Sequence, residues 1–434
     1  MGEAVVTPLA SAFGQNEKRL LQECIHCGFC LPACPTYMEN GKEMDSPRGR
    51  LYLMASALNG NASMDDAFSE HMKLCLVCRA CETACPSGVQ FGHLMEITRS
   101  AMAETKLPSF FEKYLLSKVL TSHGWLSTLF TLTRVYQKTG LRKLFSTRPF
   151  NLLVPQKVRT LQASIPSVPP RRFGTNVDVL YSAVGKKSGT VSLFTGCVMD
   201  HLYPHVHAAT VRLLTWYNFD VNILAKQTCC GALHAHSGDL QTTDDLAQSN
   251  VDLFGNTNSD YIILNSAGCG AHLKSYSKYR EAGISGKILD LSEFLARMET
   301  KQMSNGRLLK VAYDEPCHLL HGQGVSAEPK SLLSQIPGVE LVPLKEADRC
   351  CGSAGSYSIT ETKMSLELLE RKMNAVMKTG ADILVTANPG CQIQLAWGVR
   401  RRGIEMEVLH LAQFLDRVFS NEPGYPTEPI AKAN

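Results

Sequence analysis

No run of about 18 apolar residues occurs in the sequence, so no segment is expected to span a membrane as a helix. Met1 to Gln15 lack a basic start followed by an apolar core, and no secretory signal is expected there. Glycine-rich loops that follow a strand and stand apart from cysteines are also missing, which argues against a flavin or nucleotide site. Charge of one sign is scarce: 44 Lys and Arg stand against 40 Asp and Glu, a formal +4. That is too little to favour nucleic acid as a partner, and no DNA-binding element is recognisable. At 44% hydrophobic and 19% charged, the 434 residues have an ordinary globular composition, enough for two or three domains.

Cysteine is what the sequence does have. There are 16, all in patterned positions. Two runs, Cys24-Ile25-His26-Cys27-Gly28-Phe29-Cys30-Leu31-Pro32-Ala33-Cys34-Pro35 and Cys75-Leu76-Val77-Cys78-Arg79-Ala80-Cys81-Glu82-Thr83-Ala84-Cys85-Pro86, share the spacing C-x2-C-x2-C-x3-C-P. This is the bacterial-ferredoxin arrangement for cubane iron–sulfur clusters, in which the fourth cysteine of each run serves the other cluster. The expected ligand sets are therefore Cys24, Cys27, Cys30 and Cys85 for one [4Fe-4S] cluster, and Cys75, Cys78, Cys81 and Cys34 for the other. Zinc usually takes two separated pairs of ligands and fits two such dense quartets poorly. Disulfides need set Cα separations and an oxidising compartment. Without an export signal, the pattern points to metal ligation in a reducing cytoplasm.

Around these runs the N-terminal module reads as helical. Residues 16–24 form a short helix leading into the first run. Ser46 is a natural N-cap with Pro47 at the first helical position, and Asn59-Gly60 a natural stop. Arg48 and Arg50 then fall on the first turn, where they are either solvated or tune a cluster or meet an acidic partner. His26 reads as a solvated loop residue. From 106 to 160, ten Lys and Arg (Lys106, Lys113, Lys118, Arg134, Lys138, Arg142, Lys143, Arg148, Lys157, Arg159) face one acid, Glu112, a net +9 that leaves the rest of the chain net −5. Phe110, Phe111, Tyr114, Leu115, Trp125, Leu126, Phe130, Tyr136 and Leu141 recur there at helical intervals. Such a stretch suits peripheral contact with an anionic membrane, but amphipathic helices more often face their own core, and that is expected here. Ile165 to Pro170 marks a linker.

From about 188 the sequence repeats. Val191 to Cys197 is echoed by Val311 to Cys317, Cys229-Cys230-Gly231 by Cys350-Cys351-Gly352, and Tyr261 to Cys269 by Asp382 to Cys391, at spacings of 120, 121 and 122. Short apolar runs before the cysteines alternate with helical patterns, which argues for two α/β units with largely parallel sheets and the thiols at C-terminal strand ends. The two sets are Cys197, Cys229, Cys230 and Cys269, then Cys317, Cys350, Cys351 and Cys391. Vicinal thiols suit a cluster better than a tetrahedral zinc ion, and Gly231 and Gly352 allow close backbone approach. His318 and His321 are either support groups for the second set or turn residues. The expected fold class is a multidomain α+β and α/β chain: a helical two-cluster ferredoxin-type module over 15–100, a helical basic connector and linker over 101–187, and repeated cysteine-rich units over 188–300 and 308–420.

Two ferredoxin motifs followed by two such CCG units resemble the iron–sulfur subunit of bacterial glycolate oxidase, from Cys24 to about Leu415. The closest points are Cys27-Gly28-Phe29-Cys30, Asp45-Ser46-Pro47-Arg48-Gly49-Arg50, Cys350-Cys351-Gly352-Ser353-Ala354-Gly355 and Thr386-Ala387-Asn388-Pro389-Gly390-Cys391. The resemblance implies a cytoplasmic or peripherally membrane-bound oxidoreductase subunit, not catalytic alone. It implies an FAD-containing partner that oxidises glycolate or D-lactate, and electrons leaving towards quinone. It also implies two [4Fe-4S] clusters and one or two further clusters in the repeat. Anaerobic glycerol-3-phosphate dehydrogenase has a subunit of the same modular order. A disulfide-reducing CCG enzyme is a third reading, against which stands the lack of a fifth cysteine: Ser266 and Asn388 lie three residues before Cys269 and Cys391, and His272 and Gln394 three after.

Overall fold

Two parallel sheets with one and the same strand order build the C-terminal part of the chain. The structure is a computed structural model that describes residues 7–105, 118–141, 147, 154, 156–278, 283–299, 301, 308–428 and 431–432. The first sheet contains β1 (Val179–Tyr181), β2 (Gly189–Phe194), β3 (Phe219–Ile223), β4 (Tyr261–Leu264) and β5 (Ile288–Asp290). The second contains β6 (Leu309–Asp314), β7 (Val339–Val342), β8 (Ile383–Thr386) and β9 (Glu407–His410). Their parallel parts run β3-β2-β4-β5 and β7-β6-β8-β9, so each strand of one has its counterpart in the other. Register repeats too: Val191 pairs with Val221 and Tyr261, and Val311 pairs with Leu341 and Ile383. The first sheet gains an antiparallel edge, β1 on β3 and then Ala431–Lys432 on β1. Those additions come from outside the 188–300 stretch.

Central strands such as Ile383-Leu384-Val385-Thr386 are buried at every position, as parallel strands covered by helices on both faces must be. A single apolar core crosses from Val191, Leu193 and Ile263 in the first sheet to Val311, Tyr313 and Val385 in the second. Helices Pro204–Trp216 and Leu411–Phe419 meet across that seam, where Arg212 grips Asp416 through two bonds of 2.7 and 2.6 Å.

The N-terminal module holds helices and turns and, among the described residues of 7–105, no strand. Helix Gln15–Gln22 precedes the first cysteine run, and helix Pro47–Leu58 is capped by Ser46, whose Oγ accepts from the Gly49 N–H at 3.0 Å. Arg50 is not a solvated residue of that first turn. It is 1% exposed and donates to Thr36 Oγ1 and to the carbonyl of His71. Arg48 stays at the surface on Glu43, and His26 is exposed.

Of the basic connector, 106–117, 142–146, 148–153 and 155 lie outside the described residues, and with them Phe110, Phe111, Tyr114 and Leu115. Helix His123–Lys138 turns Leu126 and Phe130 towards the first sheet unit. Yet Trp125, Leu129, Leu132 and Val135 are 53%, 40%, 63% and 48% exposed, so a second apolar stripe faces outward. The expectation that the apolar face packs inward is thus met by one stripe and contradicted by the other. Two apolar stripes on one helix cannot both face the single surface beneath it. Gln137 holds the linker in place, donating to the Pro166 carbonyl and accepting from Val168 N–H, both at 2.9 Å.

Candidate metal centres

Both ferredoxin-type runs bend by the same device. His26 and Gly28 in the first, and Val77 and Arg79 in the second, are left-handed, one on each side of the middle cysteine. Left-handed residues turn successive N–H groups to one side, which makes an anion-binding concavity. Val77 at φ 53 is strained, because a β-branched residue rarely adopts that conformation, and its N–H points at Cys75 Sγ at 3.4 Å.

Cys24, Cys27, Cys30 and Cys85 line one cavity of about 420 Å³, together with Arg48, Leu51, Cys81 and Phe91. Cys27 is exposed, and Ile25 and Phe29 beside it are 69% and 65% exposed, so this set lies at the surface. Cys34, Cys75, Cys78 and Cys81 are all buried. Burial pushes the Cys81 thiol well up, and Cys78, Cys75 and Cys34 add to that by mutual repulsion. Behind Cys34 stands Thr36, 3.3 Å from its Sγ, with the Arg50 guanidinium on Thr36 in turn.

In the repeat, Cys197 and Cys317 follow β2 and β6, Cys229-Cys230 and Cys350-Cys351 follow β3 and β7, and Cys269 and Cys391 open the helices after β4 and β8. All leave the C-terminal ends of parallel strands. Cys197 Sγ lies 3.5 Å from Cys229 Sγ. Hydrogen bonds from Cys197 and Cys230 hold Cys229 well below the usual thiol range, and Cys230 in turn reaches Cys269. In the second set Cys350 and Cys391 do the same for Cys351, and Cys350 reaches Cys317. Gly231 and Gly352 both sit at φ 85, and a Cβ on Gly352 would meet the Ser365 carbonyl oxygen at 2.5 Å. Helix N-termini at Cys317 and Cys391 add partial positive charge.

The two repeat sets differ in what covers them. Cys197 and Cys229 pack under Val119, Leu120 and Leu126 of the connector. Cys350 and Cys317 pack instead against Leu76 and Cys78 of the second ferredoxin-type run. After burial, Cys317 is the charge that most raises the Cys78 thiol. Three clasps hold this border: His318 Nε2 to the Val77 carbonyl at 3.1 Å, Tyr357 Oη to the Leu74 carbonyl at 2.9 Å, and Arg371 to Glu39 at 3.1 Å. The first unit reaches the same module through Arg99, which donates to the carbonyls of Cys75 and His236. His318 and His321 are thus not turn residues but lie in helix Cys317–Gln323; His318 holds the Cys75–Cys78 loop rather than its own thiol set, and His321 bonds Thr83 across the border.

Four buried or half-buried thiols that repel one another suit a group that supplies compensating positive charge, and their soft sulfur donors suit iron–sulfur clusters. Sequence reasoning missed Tyr357 and Arg99 as support, since their partners lie from 24 to 283 residues off in the chain. It missed Thr36 although that residue stands two places from Cys34, and it weighed Arg50 only as a solvated charge or one that tunes a cluster or meets an acidic partner.

Comparison with known proteins agrees with this arrangement. A 4Fe-4S dicluster domain model matches residues 20–89, a cysteine-rich domain model matches 191–274 and 311–396, and a model of the glycolate oxidase iron-sulfur subunit linker region matches 107–164. A probable glycolate oxidase iron-sulfur subunit of Bacillus subtilis is 36% identical over 91% of this chain and 93% of its own length. The glycolate oxidase iron-sulfur subunit of Escherichia coli is 31% identical over 90% and 94%. A subunit of the fumarate reductase (CoM/CoB) from Methanothermobacter marburgensis is 27% identical over 94% of this chain and 74% of that one.

Proposed function

This chain belongs to the glycolate oxidase iron–sulfur subunit family, and from that premise we propose that it is the electron-transfer subunit of a flavin-dependent 2-hydroxy-acid dehydrogenase complex, with quinone as the eventual acceptor. The observation that carries the reading is the run of adjoining sulfur sets: a surface set, a buried set, and the second repeat set touching the buried one. Cys24, Cys27, Cys30 and Cys85 would hold one [4Fe-4S] cluster, and Cys75, Cys78, Cys81 and Cys34 the other. The repeat sets would hold one or two more. When bound, such clusters accept and release single electrons, while the substrate chemistry belongs to the FAD of a partner.

The chain's own residues do the rest. Strained Val77 and its N–H shape the buried pocket, and Arg50 and Arg99 fix the backbone around it. Exposed Ile25 and Phe29 offer the partner an apolar rim beside the surface set. The outward stripe of helix His123–Lys138, set in a basic stretch, suits peripheral contact with an anionic membrane. Ser266 and Asn388, where a disulfide reductase has its fifth cysteine, are instead 3.5 Å from each other across the seam.

The test is reconstitution of the anaerobic complex with its flavoprotein and quinone-bearing anionic vesicles. Glycolate or D-lactate should bleach the visible absorption of this subunit within turnover time, and activity should sediment with the vesicles. Cys34→Ser should remove the cluster on Cys75, Cys78 and Cys81, spare the one on Cys24, Cys27 and Cys30, and slow transfer by about tenfold or more, at least 1.4 kcal/mol of barrier, with flavin reduction intact. Response to glycerol 3-phosphate alone, or oxidation of a hydroxy acid by the isolated chain, would overturn the reading.

A further inference from the structure

Beside the first repeat set lies a cluster of side chains that electron transfer does not use. His123, Asp200 and His201 bring one ring nitrogen each and a carboxylate oxygen to within 4.8 Å of one another. Asp200 is fully buried and His201 is 5% exposed. His201 Nε2 is enclosed and has no hydrogen-bond partner, and neither has His123 Nδ1.

The other nitrogen of His123 decides what Nδ1 is. Nε2 lies 2.8 Å from the carbonyl oxygen of Gln227. A carbonyl only accepts, so Nε2 carries the proton and Nδ1 of the neutral ring presents a bare lone pair. That lone pair faces Asp200 Oδ2 at 3.9 Å, a separation at which one ion can be held by both. Asp200 Oδ1 accepts from the Gly174 N–H at 2.6 Å, and Oδ2 from Arg172 at 3.3 Å, which leaves Oδ2 a free lone pair. The 3.9 Å separation is beyond hydrogen-bond reach, so His123 and Asp200 share no direct hydrogen bond, and His201 Nε2 has no partner.

We propose that His123 Nδ1, His201 Nε2 and the Asp200 carboxylate bind one divalent transition ion of the zinc class. Two imidazoles and one carboxylate are ligands for zinc or ferrous iron, whereas calcium and magnesium need sites built from oxygen. The Gln227 carbonyl on His123 is the outer support that fixes the tautomer of a metal-binding histidine. Phe130 stacks on His201 at 5.1 Å and sets its ring. His201 also lines an open cavity of about 940 Å³ with Ser127, Thr131 and Arg134, which gives the ion an entry path and room for a fourth, solvent ligand.

The position tells what the ion does. His123 is the first residue of the connector helix. Asp200 and His201 follow Cys197 by three and four residues, and Gln227 precedes Cys229 by two. The ion therefore staples the connector to the loops that carry the first thiol set, and keeps that set covered.

The test uses the full chain, purified anaerobically with its iron and supplied with zinc alone. Metal analysis should find about one zinc per chain beyond the iron, with nitrogen and oxygen neighbours near 2.0–2.1 Å and no sulfur near 2.3 Å in the zinc X-ray absorption spectrum. His123→Ala, at the partly exposed end of the site, should lose the zinc and keep the iron and sulfide. Asp200→Asn, which keeps the Gly174 bond, should do the same and guards against a folding defect in the first variant. No zinc, zinc on sulfur, or zinc retained by both variants overturns the proposal.

Discussion

The two halves of the repeat are one scaffold with different seals. β2 and β6 correspond at an offset of 120, and helices Leu240–Gly255 and Thr362–Met377 at 122. At the end of the central strand the first half has Phe194, packed on Phe254, where the second has Asp314. On the following long helix the first has Asn250, whose amide donates to the Cys229 carbonyl at 3.0 Å. The second has Lys372, whose ammonium donates to the carbonyls of Glu346 and Ala347 and lies 2.9 Å from Asp314. Both residues tether the loop that bears the vicinal cysteines, one by a neutral amide and one by a buried charge. The half with the charge is the half whose thiols pack against the ferredoxin-type module, which the first half meets through His236 on Arg99 and Glu96. A duplicated fold thus keeps its thiol geometry through the backbone and varies the electrostatics through two side chains.

Breaking the charged tether should have the largest effect. Burial pulls the Lys372 ammonium down, but Asp314 and the thiols of Cys351 and Cys391 outweigh it and keep it protonated. Lys372→Met leaves Asp314 buried without its partner, which should cost about 3–5 kcal/mol in anaerobic denaturant unfolding. Converting both positions to the first half's residues, Lys372→Asn with Asp314→Phe, should recover much of that loss, because no charge is then stranded. A double variant no more stable than Lys372→Met would mean that the two seals are not interchangeable.

A smaller difference concerns pH. The helix after the last strand is capped by Asp290 in the first half and by His410 in the second. Burial raises Asp290 from 3.8 to about 6 and lowers His410 from 6.5 to about 4. The folded first half therefore holds a proton that the unfolded chain has lost, and its contribution is present below about pH 4 and gone by pH 6. The folded second half refuses a proton that the unfolded chain takes up, so its contribution is present above pH 6.5 and lost as pH falls towards 4. Each amounts to roughly 3 kcal/mol at most across its window. His410→Gln should flatten the fall in stability on acidification below pH 6.5. Asp290→Asn should flatten the loss between pH 4 and 6. Stability curves against pH for the two variants that bend the same way would contradict the assignment.

Much of this was legible in the sequence. Cysteine spacing, the 120-residue period and short apolar runs are local signals, and each found its counterpart in a loop or a strand end. The cap at Ser46 was legible for the same reason. What escaped was long-range. His318 finds Val77 across 241 residues and Tyr357 finds Leu74 across 283, so nothing in either neighbourhood announces the pairing. The antiparallel edge from Ala431–Lys432 pairs with a strand some 250 residues earlier. The sequence admits Arg50 either as a solvated charge or as one that tunes a cluster or meets an acidic partner, because composition cannot reveal that Thr36 and the His71 carbonyl enclose it. The connector's double stripe failed a simple amphipathic reading because one helix served two environments.

Whether the second half shares a sulfur-lined border with the ferredoxin-type module, as the first does not among the described residues, is tested most directly by electron paramagnetic resonance. In the reduced, iron-loaded full chain, a magnetic interaction should join the centre on Cys34, Cys75, Cys78 and Cys81 to the one in the second half. Cys317→Ser should abolish or strongly weaken that interaction, and Cys269→Ser, in the first half, should leave it unchanged. An interaction that survives Cys317→Ser but disappears with Cys269→Ser, or that is absent from the unsubstituted protein, would contradict the border.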